Sequence, residues 1–156
     1  MHSVASASLA LLLVAGLGYA CWTDARARII PNPLTAAIAL AAPLWWWASG
    51  LALWPDAAFQ IGIAAAALLL FLAAFALGAM GGGDVKLIAA LGLWLAPLDF
   101  MRMLIWMALA GGLLTVAMLV LHQLRRAPGR PEIPYGLAIV AAALPIFAER
   151  YIYHFG

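Results

Sequence analysis

Long stretches without a charged side chain alternate with short connections that hold nearly all of the charge. Uncharged, mostly apolar runs occupy residues 4–22, 34–54, 57–80, 103–121 and 133–148, and a shorter one occupies residues 87–98. A helix that crosses roughly 30 Å of hydrocarbon needs about 20 apolar residues. The first four runs reach that length, and the fifth gains it if Glu149 and Arg150 extend to the interface. The pattern predicts an all-α chain with five clear membrane spans. Residues 87–98 are the doubtful sixth.

Charge resolves the doubt. If residues 87–98 cross, Arg26, Arg28, Lys86, Arg125, Arg126 and Arg130 collect on one side, and Arg102 and Arg150 on the other. If that run is re-entrant, the loop from Arg125 to Arg130 changes sides and the six-to-two bias becomes three against five. Cytoplasmic connections carry the excess of Lys and Arg. The sequence therefore predicts six transmembrane helices with the N- and C-termini outside the cytoplasm, and it puts Asp84 at the cytoplasmic edge.

Composition agrees with this class. The chain is 68% hydrophobic and 9% charged, with a mean hydropathy of +1.07, outside the balance of a water-soluble globule. No polar stretch is long enough for a soluble second domain, so residues 1–156 are expected to form a single membrane-embedded domain. A net charge of +2 spread over short connections is an orientation signal and gives no footprint for nucleic acid. Cys21 is the only cysteine, which excludes an intrachain disulfide and a cysteine-based zinc site. The first apolar run ends in small residues before Cys21, but no basic segment precedes it, so it is read as a first membrane helix.

The tryptophans Trp45, Trp46, Trp47 and Trp54 lie toward the outer end of the second run, where an aromatic belt is expected. Pro31, Asn32 and Pro33 set a rigid start for the second helix, with Asn32 able to satisfy backbone groups there. Asp56, Asp99, Glu132 and Glu149 read as loop charges. His122 and His154 read as interfacial polar residues. Arg26 and Arg28 read as cytoplasmic anchors.

Asp24 and Asp84 are different, because each sits at the end of an apolar run and both fall on the same predicted side. Acids at a membrane edge are commonly helix caps or ion-pair partners. If these two converge, two close carboxylates cannot both ionise easily, so one keeps a proton while the other activates water. That divides general acid from general base within one site. A proton-coupled transporter subunit would use the same two acids as proton carriers, but nearer the bilayer midplane. A non-catalytic assembly scaffold would tolerate their replacement by Asn. Before Asp84, Gly81 and Gly83 allow a tight turn and close backbone approach, and Lys86 reads as a positive-inside anchor, with contact to Asp84, a substrate or a lipid phosphate as the alternative.

Three segments carry a resemblance. DARARIIPNPLT (residues 24–35), GGGDVKL (residues 81–87) and IPYGLAIVAAAL (residues 133–144) resemble, in order and spacing, the prepilin peptidases, polytopic aspartic proteases with a Gly-x-Gly-Asp motif. The similarity is to the short form associated with Tad/Flp-type pilus assembly. It implies that Asp24 and Asp84 are the catalytic pair and that Gly81, Gly83 and Lys86 belong to the active-site loop or substrate approach. It also implies that no cofactor or metal is needed. The implied substrate is a pilin-like precursor, cut between its short leader and its hydrophobic helix at the cytoplasmic face of a prokaryotic inner membrane. Membrane lipid is the other expected partner. Longer members carry paired cysteines in a cytoplasmic segment and also methylate the new amino terminus. This chain has neither the pair nor the insertion, so the expectation drawn from the resemblance is proteolysis and does not extend to methylation.

Overall fold

The computed structural model describes residues 2–125 and 133–155, with side chains over residues 4–125 and 133–152. Arg126, Arg130 and Glu132 of the basic connection lie outside the described residues, as does the side chain of His154. Among the described residues six α-helices follow one another: α1 (His2–Ala27), α2 (Asn32–Ser49), α3 (Ala58–Ala76), α4 (Gly82–Gly92), α5 (Pro97–Arg125) and α6 (Tyr135–Phe155). No strand occurs among the described residues. Among the described residues four segments are long and apolar enough to cross a membrane: α1, α3 with the turn before it, α5, and α6. The chain is a helical membrane protein. Its helices carry large apolar side chains outward, among them Leu11, Leu40, Leu69, Leu109 and Leu113. A contiguous apolar surface of this kind is stable only against lipid or another apolar partner.

The two remaining helices fall short for separate reasons. α2 is long enough but contains Pro43 and three consecutive tryptophans, whose amphipathic rings lower its hydropathy. α4 has 11 residues, about 16 Å at 1.5 Å per residue, and residues 93–95 add one tighter turn. A short helix is tolerated here because most of α4 is buried inside the bundle. It is enclosed by α2, α3, α5 and α6, while α1 closes the bundle between α2 and α6. Val85, Leu87, Ile88, Leu91, Trp94 and Leu95 are almost wholly buried.

The C-terminal end of α4 explains how a helix can stop inside an apolar bundle. Its last carbonyls have no partner within the helix, and leaving them bare in a dry interior is costly. Trp46 Nε1 donates to the Leu93 carbonyl at 2.7 Å, and Gln60 Nε2 donates to the Leu95 carbonyl at 3.2 Å. Trp94 returns the contact by donating from Nε1 to the Ile38 carbonyl of α2 at 2.8 Å. Its ring stacks on Trp45, with centroids 5.5 Å apart, and Phe147 of α6 packs on both.

This corrects the aromatic-belt expectation. Trp45 and Trp46 are 5% and 6% exposed and form part of the core, whereas Trp47 and Trp54, at 65% and 82%, face outward. Asp99 and Glu149 are also more than solvated loop charges. Arg150 meets Asp99 at 3.1 Å, and Arg102 lies 3.5 Å from Asp99 and 3.3 Å from Glu149, tying the start of α5 to the end of α6.

Candidate active site

The helices alternate in direction, so the end of α1, the start of α4 and the start of α6 share one end of the bundle. Asp24 stands in the last turn of α1 and Asp84 in the first turn of α4. Both are buried, at 5% and 8% exposure, and both line one cavity of about 500 Å³. Arg28, the connection from Gly78 to Gly81, Ile133 and Tyr135 complete its wall. Asp24 is the charged neighbour whose field acts on Asp84.

Local backbone features deliver each carboxylate. α1 ends because Arg28 adopts a left-handed conformation, with φ 56°, and its N–H closes on the Asp24 carbonyl at 3.0 Å. The chain then reverses, and Ile30 passes against the start of α4. Gly83 permits that crossing: a Cβ there would lie 2.9 Å from Ile30 Cβ and 3.2 Å from its carbonyl oxygen. Gly81 is the N-cap of α4. Its N–H faces Asp84, and a Cβ on it would lie 2.9 Å from Asp84 Oδ2. The close approach expected of these glycines is thus made by Gly83 to the strand of chain that follows Asp24, and by Gly81 to Asp84 itself.

Two carboxylate oxygens, Asp24 Oδ2 and Asp84 Oδ1, are buried and accept no hydrogen bond from the described residues. A buried acceptor without a protein donor is expensive and calls for an explanation, of which a catalytic role is one. Among the described residues no three His, Cys, Asp or Glu side chains converge. The cavity therefore presents two acids side by side, with the cationic Arg28 beside Asp24.

Within the matching segment of the chain, this geometry coincides with a family assignment. The model of the type IV leader peptidase family matches residues 11–116, about two thirds of the chain and a stretch that contains both aspartates. The chain belongs to the type IV leader peptidase family. It is accordingly a membrane protease of leader-peptidase type. No curated protein and no solved structure matches it.

The structure separates Lys86 from this cavity. Its Nζ donates to Asn32 Oδ1 at 2.8 Å, and both residues line a different, largely apolar cleft of about 600 Å³ between α2 and α3, floored by α4. Asn32 consequently does not cap α2; Pro31 is the N-cap residue, and no side chain caps the helix. Arg26 leans over the Trp22 ring, 5.2 Å from its centroid, and is not part of the cavity wall. Reading the sequence assigned no role to Ile30, Tyr135 or Gly136. The Tyr-Gly pair at the start of the last helix was the available signal. A bare glycine carries no chemistry, and only the packing shows what its missing side chain makes room for.

Proposed function

We propose that the chain is a two-aspartate endopeptidase that removes the short leader of pilin-like precursors of the Flp type. The observation that carries this reading is the convergence of Asp24 and Asp84. They come from different helices onto one cavity, each with a buried oxygen that has no hydrogen-bond partner among the described residues, and both lie within the stretch matched by the leader peptidase family. The six-to-two distribution of Lys and Arg supports six spans with both termini outside the cytoplasm and the cavity at the cytoplasmic face of a prokaryotic inner membrane. A leader that ends where a hydrophobic helix begins would then arrive at the depth of the aspartates.

The reaction follows from two acids that share a proton. The ionised carboxylate removes a proton from water as the oxygen attacks the scissile carbonyl carbon, and the protonated carboxyl donates to the carbonyl oxygen, giving a neutral tetrahedral diol. On collapse one diol hydroxyl returns its proton to the carboxylate that donated earlier, re-forming the carbonyl as the C–N bond breaks. The departing nitrogen takes a proton from the acid that gained one, so the pair returns to its starting state. Arg28 supplies positive charge at the rim of the cavity, which steadies the ionised partner. Both acids stand at helix ends, within reach of an extended peptide from the aqueous side, rather than midway along a helix as a transmembrane proton path requires.

The test is cleavage of a purified pilin precursor in detergent or nanodiscs. Wild type is expected to release the leader, and Asp24→Asn and Asp84→Asn are each expected to lose at least about a thousandfold in rate, as removal of one member of a coupled catalytic pair does. Undiminished cleavage by either variant would remove the dyad.

A further inference from the structure

Asp24 stands in the last turn of α1, where more than one staggered rotamer remains open to its side chain. What fixes it comes from the other side of the cavity. A Cβ built on Gly136, the second residue of α6, would lie 2.8 Å from Asp24 Oδ2, 3.0 Å from Asp24 Cγ and 3.0 Å from Ile30 Cδ1. The N–H groups of Gly136 and Leu137 face the same carboxylate. The backbone of α6 therefore lies directly against the Asp24 carboxylate, at a separation that any side chain would prevent.

We infer that Gly136 is the positioning residue for Asp24, and that the first turn of α6 is the surface against which that carboxylate is held in register with Asp84. Residue 136 lies beyond the segment that the family model matches, which ends at residue 116.

The rest of α6 is built to keep that turn in place. The Tyr135 ring fills the space left by Gly111 of α5, where a Cβ would lie 3.0 Å from Tyr135 Cε1, and the Tyr135 hydroxyl lies 3.3 Å from Thr115 Oγ1. Ile139, Ala143 and Phe147 are buried along the helix, and the Arg150 to Asp99 pair secures its far end. A turn clamped at both ends cannot slide away from an added methyl group. The carboxylate must move instead.

The inference rests on the peptidase reading only for its kinetic arm, so the experiment also reads Asp24 directly. The protein is labelled with ¹³Cγ-aspartate, and the Asp24 resonance, one of four, is assigned by its loss in Asp24→Asn. Gly136→Ala is expected to move that resonance and to lower kcat by about tenfold to a hundredfold, the scale of a misplacement of about 1 Å, with KM held within about twofold. The new methyl also meets Ile30 Cδ1, which Ile30→Val removes. Measured against Ile30→Val alone, Gly136→Ala in that background is expected to show the same shift and the same loss. Recovery of either in the double variant would assign the effect to packing against Ile30 and overturn the inference, as would an unmoved resonance in Gly136→Ala.

If Gly136→Ala does not fold, it is placed in an Asp24→Ala background. Restored folding is expected when the collision is with the carboxylate, and continued failure would overturn the inference. Absence of pilin cleavage by wild type, with the resonance shift intact, would remove the peptidase reading and leave the positioning role standing.

Discussion

At the residue scale, Arg28 combines two opposed demands. It is the only non-glycine among the described residues with a positive φ, a conformation that costs a side chain with Cβ roughly 1 kcal/mol. Its charge also acts on Asp24 from the cavity wall. Arg28→Gly is expected to raise stability by about 1 kcal/mol by relieving the backbone, while cleavage slows because the rim loses its cation. Thermal unfolding and cleavage rates on the same preparation check both halves, and a variant that is stabilised with unchanged cleavage would show that the charge has no part in the reaction. The two aspartates were legible in the sequence because an acid at the edge of an apolar run is costly and stands out against its surroundings. The pairing of Lys86 with Asn32 was not, since residues 54 positions apart meet only through the packing of α2 on α4. Trp45 and Trp46 misled for a related reason: an indole is amphipathic, and its composition does not reveal whether its N–H reaches headgroups or a buried carbonyl.

At the scale of elements, α4 departs most from the pattern of apolar runs. Residues 87–98 are uncharged throughout, yet the helix ends at Gly92, and the carbonyls of Leu93 and Leu95 in the turn that follows are taken up by side chains from α2 and α3. Where a helix stops depends on those distant donors, and no local signal in the run announces them. Trp46→Phe keeps most of the ring volume and removes the donor, so the Leu93 carbonyl is left without its partner in an apolar interior. The expected cost is about 1–3 kcal/mol, read as a lower unfolding midpoint in detergent, with the lost donor lying at the opposite end of α4 from Asp84. A midpoint unchanged within error would mean that the carbonyl finds another donor. The other helices were legible in outline, with ends that shifted where turns intervened: the run over residues 57–80 is helical as α3 only to Ala76, after which Gly78, at φ 72°, turns the chain toward the cavity.

At the scale of the whole molecule, the decisive quantity is which side of the membrane each connection occupies, and it depends on whether α4 crosses. At about 16 Å α4 cannot bridge the hydrocarbon by itself. It does not have to, because the helices around it supply the apolar surface that faces lipid. The next helix, α5, starts at Pro97 at the end of the bundle opposite Asp84 and is 29 residues long, enough to return across with a turn to spare. The arrangement makes a labelling experiment sharp. In a Cys21→Ala background, single cysteines replace the exposed residues Trp54, Leu77, Leu98 and Leu124, and intact cells are treated with a membrane-impermeant maleimide before and after permeabilisation. Six spans place residues 54 and 98 outside and residues 77 and 124 inside, so the first two react at once and the second two only after permeabilisation. A re-entrant α4 gives a different result: residue 98 joins residue 77 on the cytoplasmic side, and residue 124 moves outside with the basic connection that follows it. That result would cut the bias to five Lys and Arg inside and three outside, with Arg125, Arg126 and Arg130 all on the outer face. The positive-inside rule would then be broken by the connection with the densest charge in the chain, which is why the six-span outcome is the one expected.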